Sequence, residues 1–204
     1  MLKPILFVGL LGFAVTAWAK PPAILVMGDS LSAAYGIETS QGWVALLQQR
    51  LQVRGYDYRV VNASVSGDTT AQGLTRLPLE LERHQPIVVI LELGANDGLR
   101  GLSVAAMRQN LAQMIVLSQK AGARVLLAGI YLPPNYGPEY TRRFAAVYPW
   151  LARRYRLPLV PFLLAGVAEH RDWMQADGLH PLAMAEPRVL ENVWSKLAPL
   201  LRRP

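Results

Sequence analysis

Cysteine is absent from this sequence of 204 residues, and histidine occurs only three times. Without cysteine the chain can form no disulfide, and any metal site would have to use His, Asp and Glu alone. Charged residues make up 17% of the chain and apolar residues 52%, with no low-complexity tract. This composition excludes a disordered or fibrous protein, and the length suits one domain with its own core.

Motifs of several common enzyme classes are also missing. The chain contains no G-x-S-x-G nucleophile elbow, no P-loop, no G-x-G-x-x-G and no H-E-x-x-H. Their absence argues against the ordinary α/β-hydrolase arrangement, nucleotide-binding enzymes and zinc proteases. His84 and His170 have no ligand-like neighbours at zinc spacing, so we interpret both as structural or surface groups. No metal or other cofactor is expected.

The first nineteen residues differ in composition from the rest of the chain. Lys3 supplies one positive charge, residues 5–15 are almost wholly apolar, and Ala17-Trp18-Ala19 matches a small-x-small cleavage site. This pattern predicts a secretory signal peptide at 1–19 and a mature domain at 20–204, periplasmic or secreted. The alternative is an N-terminal membrane anchor, but the apolar run is shorter than the roughly 20 residues that span a bilayer.

The net charge of +7 comes mainly from arginine, which is concentrated between residues 142 and 156 among aromatic side chains. Such mixtures occur in nucleic-acid-binding surfaces, but on a helix they also describe an amphipathic element with a solvated face. We favour the solvated face and expect no nucleic-acid partner. A weak contact with anionic surfaces stays open, without a stable membrane anchor. The arginines are Arg142, Arg143, Arg153, Arg154 and Arg156.

Short apolar runs alternate with segments of helical periodicity after residue 20. Predicted strands cover 24–27, 58–62, 87–93, 124–130 and 159–162, and predicted helices lie around 43–51, 74–81, 103–121, 140–155 and 187–201. Ser103 is a plausible N-cap, and Pro149 should break or kink its helix. The alternation predicts an α/β fold of three layers, with helices flanking a mostly parallel five-stranded sheet. In such sheets functional residues follow the carboxyl ends of the strands.

Three polar segments follow the ends of predicted strands, and a fourth lies near the C-terminus. Each has an ordinary interpretation when taken alone. Ser30 could cap a helix, Gly67 lies in a polar turn, and Asn96 belongs to a good turn sequence. Asp177 precedes His180 by three residues, but a lone surface histidine is usually inert. No single segment therefore establishes a function.

Together, the four segments supply what acyl transfer requires. The reaction needs a hydroxyl nucleophile, an imidazole base, a carboxylate that fixes the imidazole tautomer, and donors for the tetrahedral oxyanion. Ser30, His180 and Asp177 fit the first three roles. The backbone N–H groups of Ser30 and Gly67 and the side-chain amide of Asn96 fit the oxyanion hole. The combination predicts a serine hydrolase that forms an acyl-enzyme.

The same residues resemble the GDSL, or SGNH, hydrolase superfamily. Its blocks are a GDS serine, a glycine, a GxND asparagine and a DxxH pair, and this chain has them in order at Ser30, Gly67, Asn96, and Asp177 with His180. The likeness extends over essentially the whole mature chain to the bacterial periplasmic thioesterase I, protease I and lysophospholipase L1 subfamily of arylesterases. The segments that carry it are 61–64, 66–69, 91–94, 96–101, 132–133, 135–137 and 173–175.

Two positions depart from that subfamily. Ala95 stands where a second glycine is common, which barely disturbs the oxyanion role of its neighbour, and Leu182 stands where a more polar residue is usual. The resemblance implies a small flavodoxin-like fold that acts as a monomer without a cofactor. It also implies small-molecule substrates: acyl-CoA, lysophospholipid, and aryl or short-chain esters.

Apolar residues in the loops after the third and fourth predicted strands suit an acyl groove, although simple loop packing explains them equally well. These candidate substrate-binding residues are Leu99, Leu102, Leu132, Pro133 and Tyr136. One alternative function is O-deacetylation of polysaccharide or peptidoglycan, which the same four blocks also serve. The other is a catalytically silent lipid- or carbohydrate-binding module, which the intact serine, histidine and aspartate disfavour.

Overall fold

The computed structural model describes residues 20–202, and a sheet of five parallel strands forms its centre. The strand order is β2-β1-β3-β4-β5. The predicted α/β fold with a parallel five-stranded sheet is therefore confirmed. The strands are β1 (Ala23–Gly28), β2 (Arg59–Asn62), β3 (Val88–Glu92), β4 (Arg124–Ala128) and β5 (Leu159–Val160).

Helices cover both faces of the sheet. Helix α1 packs against α7 on one face, whereas α2, α4 and α6 pack in succession on the other. Right-handed crossovers explain this division, because the chain moves from β1 to β2 in one direction along the sheet and afterwards only in the other. The helices are α1 (Trp43–Val53), α2 (Thr70–His84), α3 (Ala95–Leu99), α4 (Val104–Lys120), α5 (Pro138–Ala145), α6 (Val147–Tyr155) and α7 (Glu186–Leu197).

The central strands read as continuous apolar runs because both of their faces are buried. Every residue of β1 and β3 is buried, including Glu92 at the end of β3. Helix starts follow capping rules: Thr69 forms a capping box with Gln72 before α2, and the Ala106 N–H donates to the Ser103 hydroxyl at the start of α4. The prediction of Ser103 as an N-cap is confirmed.

The helix predicted over 140–155 is two helices, separated at Ala146. Pro149 is the third residue of α6, so its missing N–H falls in the first turn, where no intrahelical partner is required. The preceding helix ends at Ala145, four residues before Pro149, where a continuing helix would meet the proline ring. All five arginines of this region are exposed while Phe144 and Tyr148 are buried, so the region is amphipathic.

The strand order also places a crevice in the sheet. β1 lies between β2 and β3, so the loops that leave β1 and β3 diverge to opposite faces and open a gap at their carboxyl ends. The segments with Ser30 and Asn96 follow these two strands. Within residues 20–202 no helix combines the length and apolar character needed to cross a bilayer. The predicted signal peptide at 1–19 lies outside the described residues.

Candidate active site

Ser30 lies in an irregular turn directly after β1 and caps no helix. The carboxylate of Asp29 accepts the Leu31 N–H at 3.1 Å, and the Asp29 carbonyl accepts the Ala33 N–H at 2.9 Å. A side chain at Gly28 would place its Cβ 2.7 Å from the Ser32 side chain, so the turn can pack here only with glycine. The turn presents the Ser30 hydroxyl at the crevice between β1 and β3.

His180 connects Ser30 to Asp177. Its Nε2 lies 2.7 Å from Ser30 Oγ, and its Nδ1 lies 2.7 Å from Asp177 Oδ2. An ionised carboxylate can only accept, so Nδ1 carries the hydrogen and donates to Asp177, which leaves Nε2 to accept from the Ser30 hydroxyl. The geometry suits proton transfer from Ser30 to His180.

The environment of Asp177 keeps it ionised. Partial burial would raise the pKa of Asp177, but hydrogen bonds from the Leu179 N–H and from the His180 ring and N–H outweigh it. The two backbone bonds to Asp177 Oδ1 measure 2.9 and 3.1 Å. The pKa of this carboxyl therefore lies below its ordinary value, and a charged partner for the imidazole is present at neutral pH.

Gly67 lies in a tight turn after β2. The Asp68 N–H donates to the Val65 carbonyl at 3.1 Å, and Gly67 has a φ of +86°, as the third residue of a type II turn requires. Within residues 20–202, the N–H groups of Ser30 and Gly67 donate to no protein acceptor. Both are therefore available to a bound oxygen.

Asn96 lies in the first turn of the short helix α3, where the sequence predicted only a polar turn. Its Nδ2 donates to the Asp68 carbonyl at 3.0 Å and makes a long contact of 3.4 Å with Asp29 Oδ2. The side chain thus bridges the segments that follow β1 and β2. Asn96 lines the same cavity as Ser30 and His180, whereas Gly67 is not one of its lining residues.

Two further carboxyl groups, those of Asp29 and Glu92, are buried next to Ser30 and Ser32. Burial raises the pKa of Asp29 to about 7, against the opposing hydrogen bonds from Leu31 and Asn96. Burial and the neighbouring Asp29 raise the pKa of Glu92 well above its ordinary value. The Ser32 hydroxyl donates to Glu92 Oε2 at 2.6 Å, and a protonated Glu92 can still accept this hydrogen bond from the turn.

A cavity that is partly open to solvent adjoins Ser30 and His180. Of the predicted substrate-binding residues, Leu99, Leu132 and Pro133 line this cavity, and Leu102 and Tyr136 do not. Leu102 is 44% exposed. Tyr136 turns its hydroxyl toward the Leu99 carbonyl and donates to it at 3.0 Å, so it supports the wall from outside.

Sequence reasoning missed several residues of the site. Tyr35 lies against the His180 ring, with 4.6 Å between ring centroids, and Gln175 donates to the Tyr35 carbonyl at 2.7 Å. No sequence signal marks Tyr35. Other missed residues of the cavity wall mostly follow strands β1, β4 and β5. The expectation that functional residues follow the carboxyl ends of strands could have identified them. They are Leu31, Ile130, Tyr131, Phe162, Leu164 and Leu179.

The two other histidines lie outside this cavity. His84 Nε2 lies 3.2 Å from Glu80 one turn earlier on α2. The His170 ring packs against Trp173, with 4.8 Å between ring centroids. Both contacts agree with the structural or surface roles expected for these side chains.

Comparison with known proteins gives one consistent relationship. The GDSL-like lipase/acylhydrolase family matches residues 26–184. Esterase TesA of Pseudomonas aeruginosa is 57% identical over 187 residues, which cover 92% of this chain and 93% of that protein. The arylesterase of Vibrio mimicus is 45% identical, with 85% and 87% covered.

Thioesterase 1/protease 1/lysophospholipase L1 of Escherichia coli K12 is 44% identical, with 97% of this chain and 92% of that protein covered. Among solved structures, a crystal structure of TesA superimposes with a TM-score of 0.86 at 58% identity, covering 88% of this chain and 99% of that one. The family match over residues 26–184 includes all four sequence blocks. The chain therefore belongs to the GDSL-like lipase/acylhydrolase family and is a carboxylic ester hydrolase.

Proposed function

We propose that this enzyme hydrolyses acyl esters and thioesters through a covalent acyl-enzyme on Ser30, with His180 as base and Asp177 as its partner. The observation that carries the proposal is the unbroken line of two 2.7 Å contacts from Asp177 through His180 to Ser30 at the edge of an apolar cavity. Nucleophile, base and orienting carboxylate at these distances are the arrangement that serine acyl transfer requires.

In the first step, His180 Nε2 takes the Ser30 proton while Ser30 Oγ attacks the substrate carbonyl carbon. The oxyanion accepts hydrogen bonds from the N–H groups of Ser30 and Gly67 and from Asn96 Nδ2. The imidazolium then protonates the leaving alcohol or thiol as its bond to the acyl carbon breaks. In the second step, His180 deprotonates water, which attacks the acyl carbon; the bond to Ser30 Oγ breaks, Ser30 regains the proton from His180, and the acid is released. Asp177 stays ionised throughout.

The surroundings of Asn96 support its part in the oxyanion hole. One hydrogen of its amide is committed to the Asp68 carbonyl at 3.0 Å, whereas the second has only the long 3.4 Å contact with Asp29. An oxyanion near Ser30 would offer that second hydrogen a better acceptor. A single donor of this kind is worth roughly 3 kcal/mol of barrier.

The cavity lining supports acyl chains as the recognised part of the substrate. Leu99, Leu132, Pro133 and Phe162 present apolar surface beside Ser30, and Leu164 extends it. The names of the relatives point the same way, because they include an arylesterase and a thioesterase 1/protease 1/lysophospholipase L1. Aryl or short-chain esters, acyl-CoA and lysophospholipid are therefore our substrate classes. An apolar wall gives an acetylated sugar few hydrogen-bond partners, which counts against O-deacetylation.

We also propose that residues 1–19 direct export and are removed. We further propose that the mature enzyme acts as a monomer in the periplasm or outside the cell. The small-x-small pattern ending at Ala19 supports cleavage before Lys20. We propose no nucleic-acid partner and no stable membrane anchor for the mature chain. The mass of the exported protein checks the cleavage site, and sedimentation checks the monomer.

A hydrolysis panel tests the proposed function. Nitrophenyl butyrate, an acyl-CoA, a lysophospholipid and an acetylated sugar are offered to the parent enzyme, to Ser30→Ala and to Ser195→Ala. Ser195 is a matched control, because its hydroxyl donates only within its own helix, to the Asn192 carbonyl. We expect Ser30→Ala to lose at least a thousandfold in rate, in line with losses of triad residues.

Retention of most ester hydrolysis by Ser30→Ala would contradict the proposed nucleophile. Preference for the acetylated sugar would instead support the deacetylase. A series of nitrophenyl esters from acetyl to long acyl tests the cavity, and a flat profile would count against acyl recognition.

A further inference from the structure

Arg100 connects the two sides of the proposed oxyanion hole. It is the C-cap residue of α3, and its Nη2 donates to the Gly67 carbonyl at 2.7 Å across 33 residues of sequence. Arg100 is exposed and does not line the cavity beside Ser30. The bond therefore neutralises no buried charge and needs another explanation.

Gly67 can serve as an oxyanion donor only while its N–H faces the reacting oxygen. Its φ of +86° is readily adopted by glycine, but glycine also reaches negative φ at little cost because it has no Cβ. In the turn from Val65 to Asp68, the central peptide joins Ser66 to Gly67, and the Gly67 N–H belongs to this peptide. Type I and type II turns differ by the orientation of this peptide. A flip of this peptide leaves the Gly67 carbonyl where it is, so a bond to that carbonyl fixes the position of the whole turn.

Other bonds from α3 fix the chain just beyond Gly67. Asn96 donates to the Asp68 carbonyl at 3.0 Å, and the Asp97 carboxylate accepts the Thr70 N–H at 2.8 Å and its hydroxyl at 2.6 Å. None of these bonds acts on Gly67 itself. Among the described residues, the bond from Arg100 is the side-chain hydrogen bond that does.

We propose that Arg100 is a positioning residue of the oxyanion hole, which holds the Gly67 carbonyl and thereby keeps the turn that carries the Gly67 N–H in place beside Asn96. This inference rests on the proposed acyl-enzyme function. Helix α3 then serves both halves of the hole, with a donor, Asn96, in its first turn and the support of the second donor at its end. Arg100 contacts neither the substrate nor the reacting atoms.

The competing role for an exposed arginine here is contact with a substrate phosphate, and neutral and anionic substrates separate the two. Arg100→Ala, Arg100→Lys and the control Arg83→Ala are compared on uncharged nitrophenyl butyrate and on an acyl-CoA. Arg83 is exposed in the last turn of α2, thirteen residues after the start of that helix near the site. Thermal unfolding of each variant is recorded in parallel.

For Arg100→Ala we expect kcat to fall about tenfold on both substrates, the effect of one hydrogen bond with a charged donor. KM should stay within about twofold, because the bond acts on the transition state. Arg100→Lys should recover part of kcat, since its ammonium can reach the same carbonyl with poorer geometry. The unfolding midpoint should match that of Arg83→Ala.

An unchanged kcat on nitrophenyl butyrate, with a raised KM for the acyl-CoA alone, would overturn the proposal and assign Arg100 to phosphate binding. A lowered unfolding midpoint with equal losses in both Arg100 variants would overturn it in favour of a purely structural role. Ser30→Ala is assayed alongside to keep the two proposals apart. If Ser30→Ala is inactive while Arg100→Ala is fully active, only the inference about Arg100 fails.

Discussion

Glu186 should make the enzyme less stable as the pH rises, the reverse of the usual effect of a carboxylate. Its Oε2 accepts the Trp43 N–H at 2.7 Å, so it caps α1 from 143 residues away, where Gly42 offers no side chain. Glu186 is 1% exposed. Burial raises its pKa to about 7, although the bond from Trp43 opposes the rise.

The sign and size follow from proton linkage. The folded state binds a proton on Glu186 up to about pH 7, whereas the unfolded state releases it near the ordinary value of 4.5. Stability from this group is therefore complete below pH 4.5 and is lost as the pH rises through 7. A shift of about 2.5 units corresponds to about 3 kcal/mol, of which about 2.5 kcal/mol falls between pH 5 and pH 8.

Urea unfolding of the parent, Glu186→Gln and the exposed control Glu82→Gln at pH 5 and pH 8 measures this contribution. Glutamine keeps an acceptor for Trp43 and cannot ionise, so the stability of Glu186→Gln relative to the parent should improve by about 2.5 kcal/mol from pH 5 to pH 8. Other buried carboxyls titrate equally in parent and variant and cancel. A relative stability of Glu186→Gln that stays constant, or that worsens toward pH 8, would refute the reasoning.

Two further predictions concern the site. Asp177→Asn should lower kcat on nitrophenyl butyrate by roughly a thousandfold or more, because the amide cannot stabilise the imidazolium or enforce its tautomer; a loss below tenfold would contradict this role. In Gly67→Ala the new Cβ meets only Arg100 Nη2 at 3.6 Å, so strain at φ +86° dominates. It should cost about 1 kcal/mol of stability and at least tenfold in kcat. Gly101→Ala is the control, with φ +64° and no atom near the new Cβ: it should lose similar stability but keep its activity.

The sheet was predictable because its signal is local. Buried parallel strands appear as apolar runs, and the strands β1 and β3 that flank the crevice are such runs up to Glu92 at the end of β3. The one-turn helix α3 was missed, since Ala95 to Leu99 is too short for periodicity and reads as a turn. A break near Pro149 was predicted, but its position at Ala146 was not. That position depends on which turn of the new helix tolerates the proline.

The residues of the candidate site were easier to predict than the hydrogen bonds that hold them in place. The four blocks can be recognised from the types of their residues and from their order along the chain. The bonds between them join distant residues: Ser30 with His180 across 150 positions and Asn96 with Asp68 across 28. Tyr35 belongs to the site only because the chain returns near it after β5, and no local pattern encodes that return.

These distant bonds also give a physical reason for the aspartates within the blocks. Asp29 and Asp97 are both buried, at a cost in desolvation, and the proposed reaction gives neither a chemical step. Asp29 instead holds the Leu31 N–H and contacts Asn96, while Asp97 holds the N–H and hydroxyl of Thr70. Each carboxylate thus connects its own block to a segment that follows a different strand. An oxyanion hole assembled from three separate segments needs such connections, because its donors work only at fixed positions.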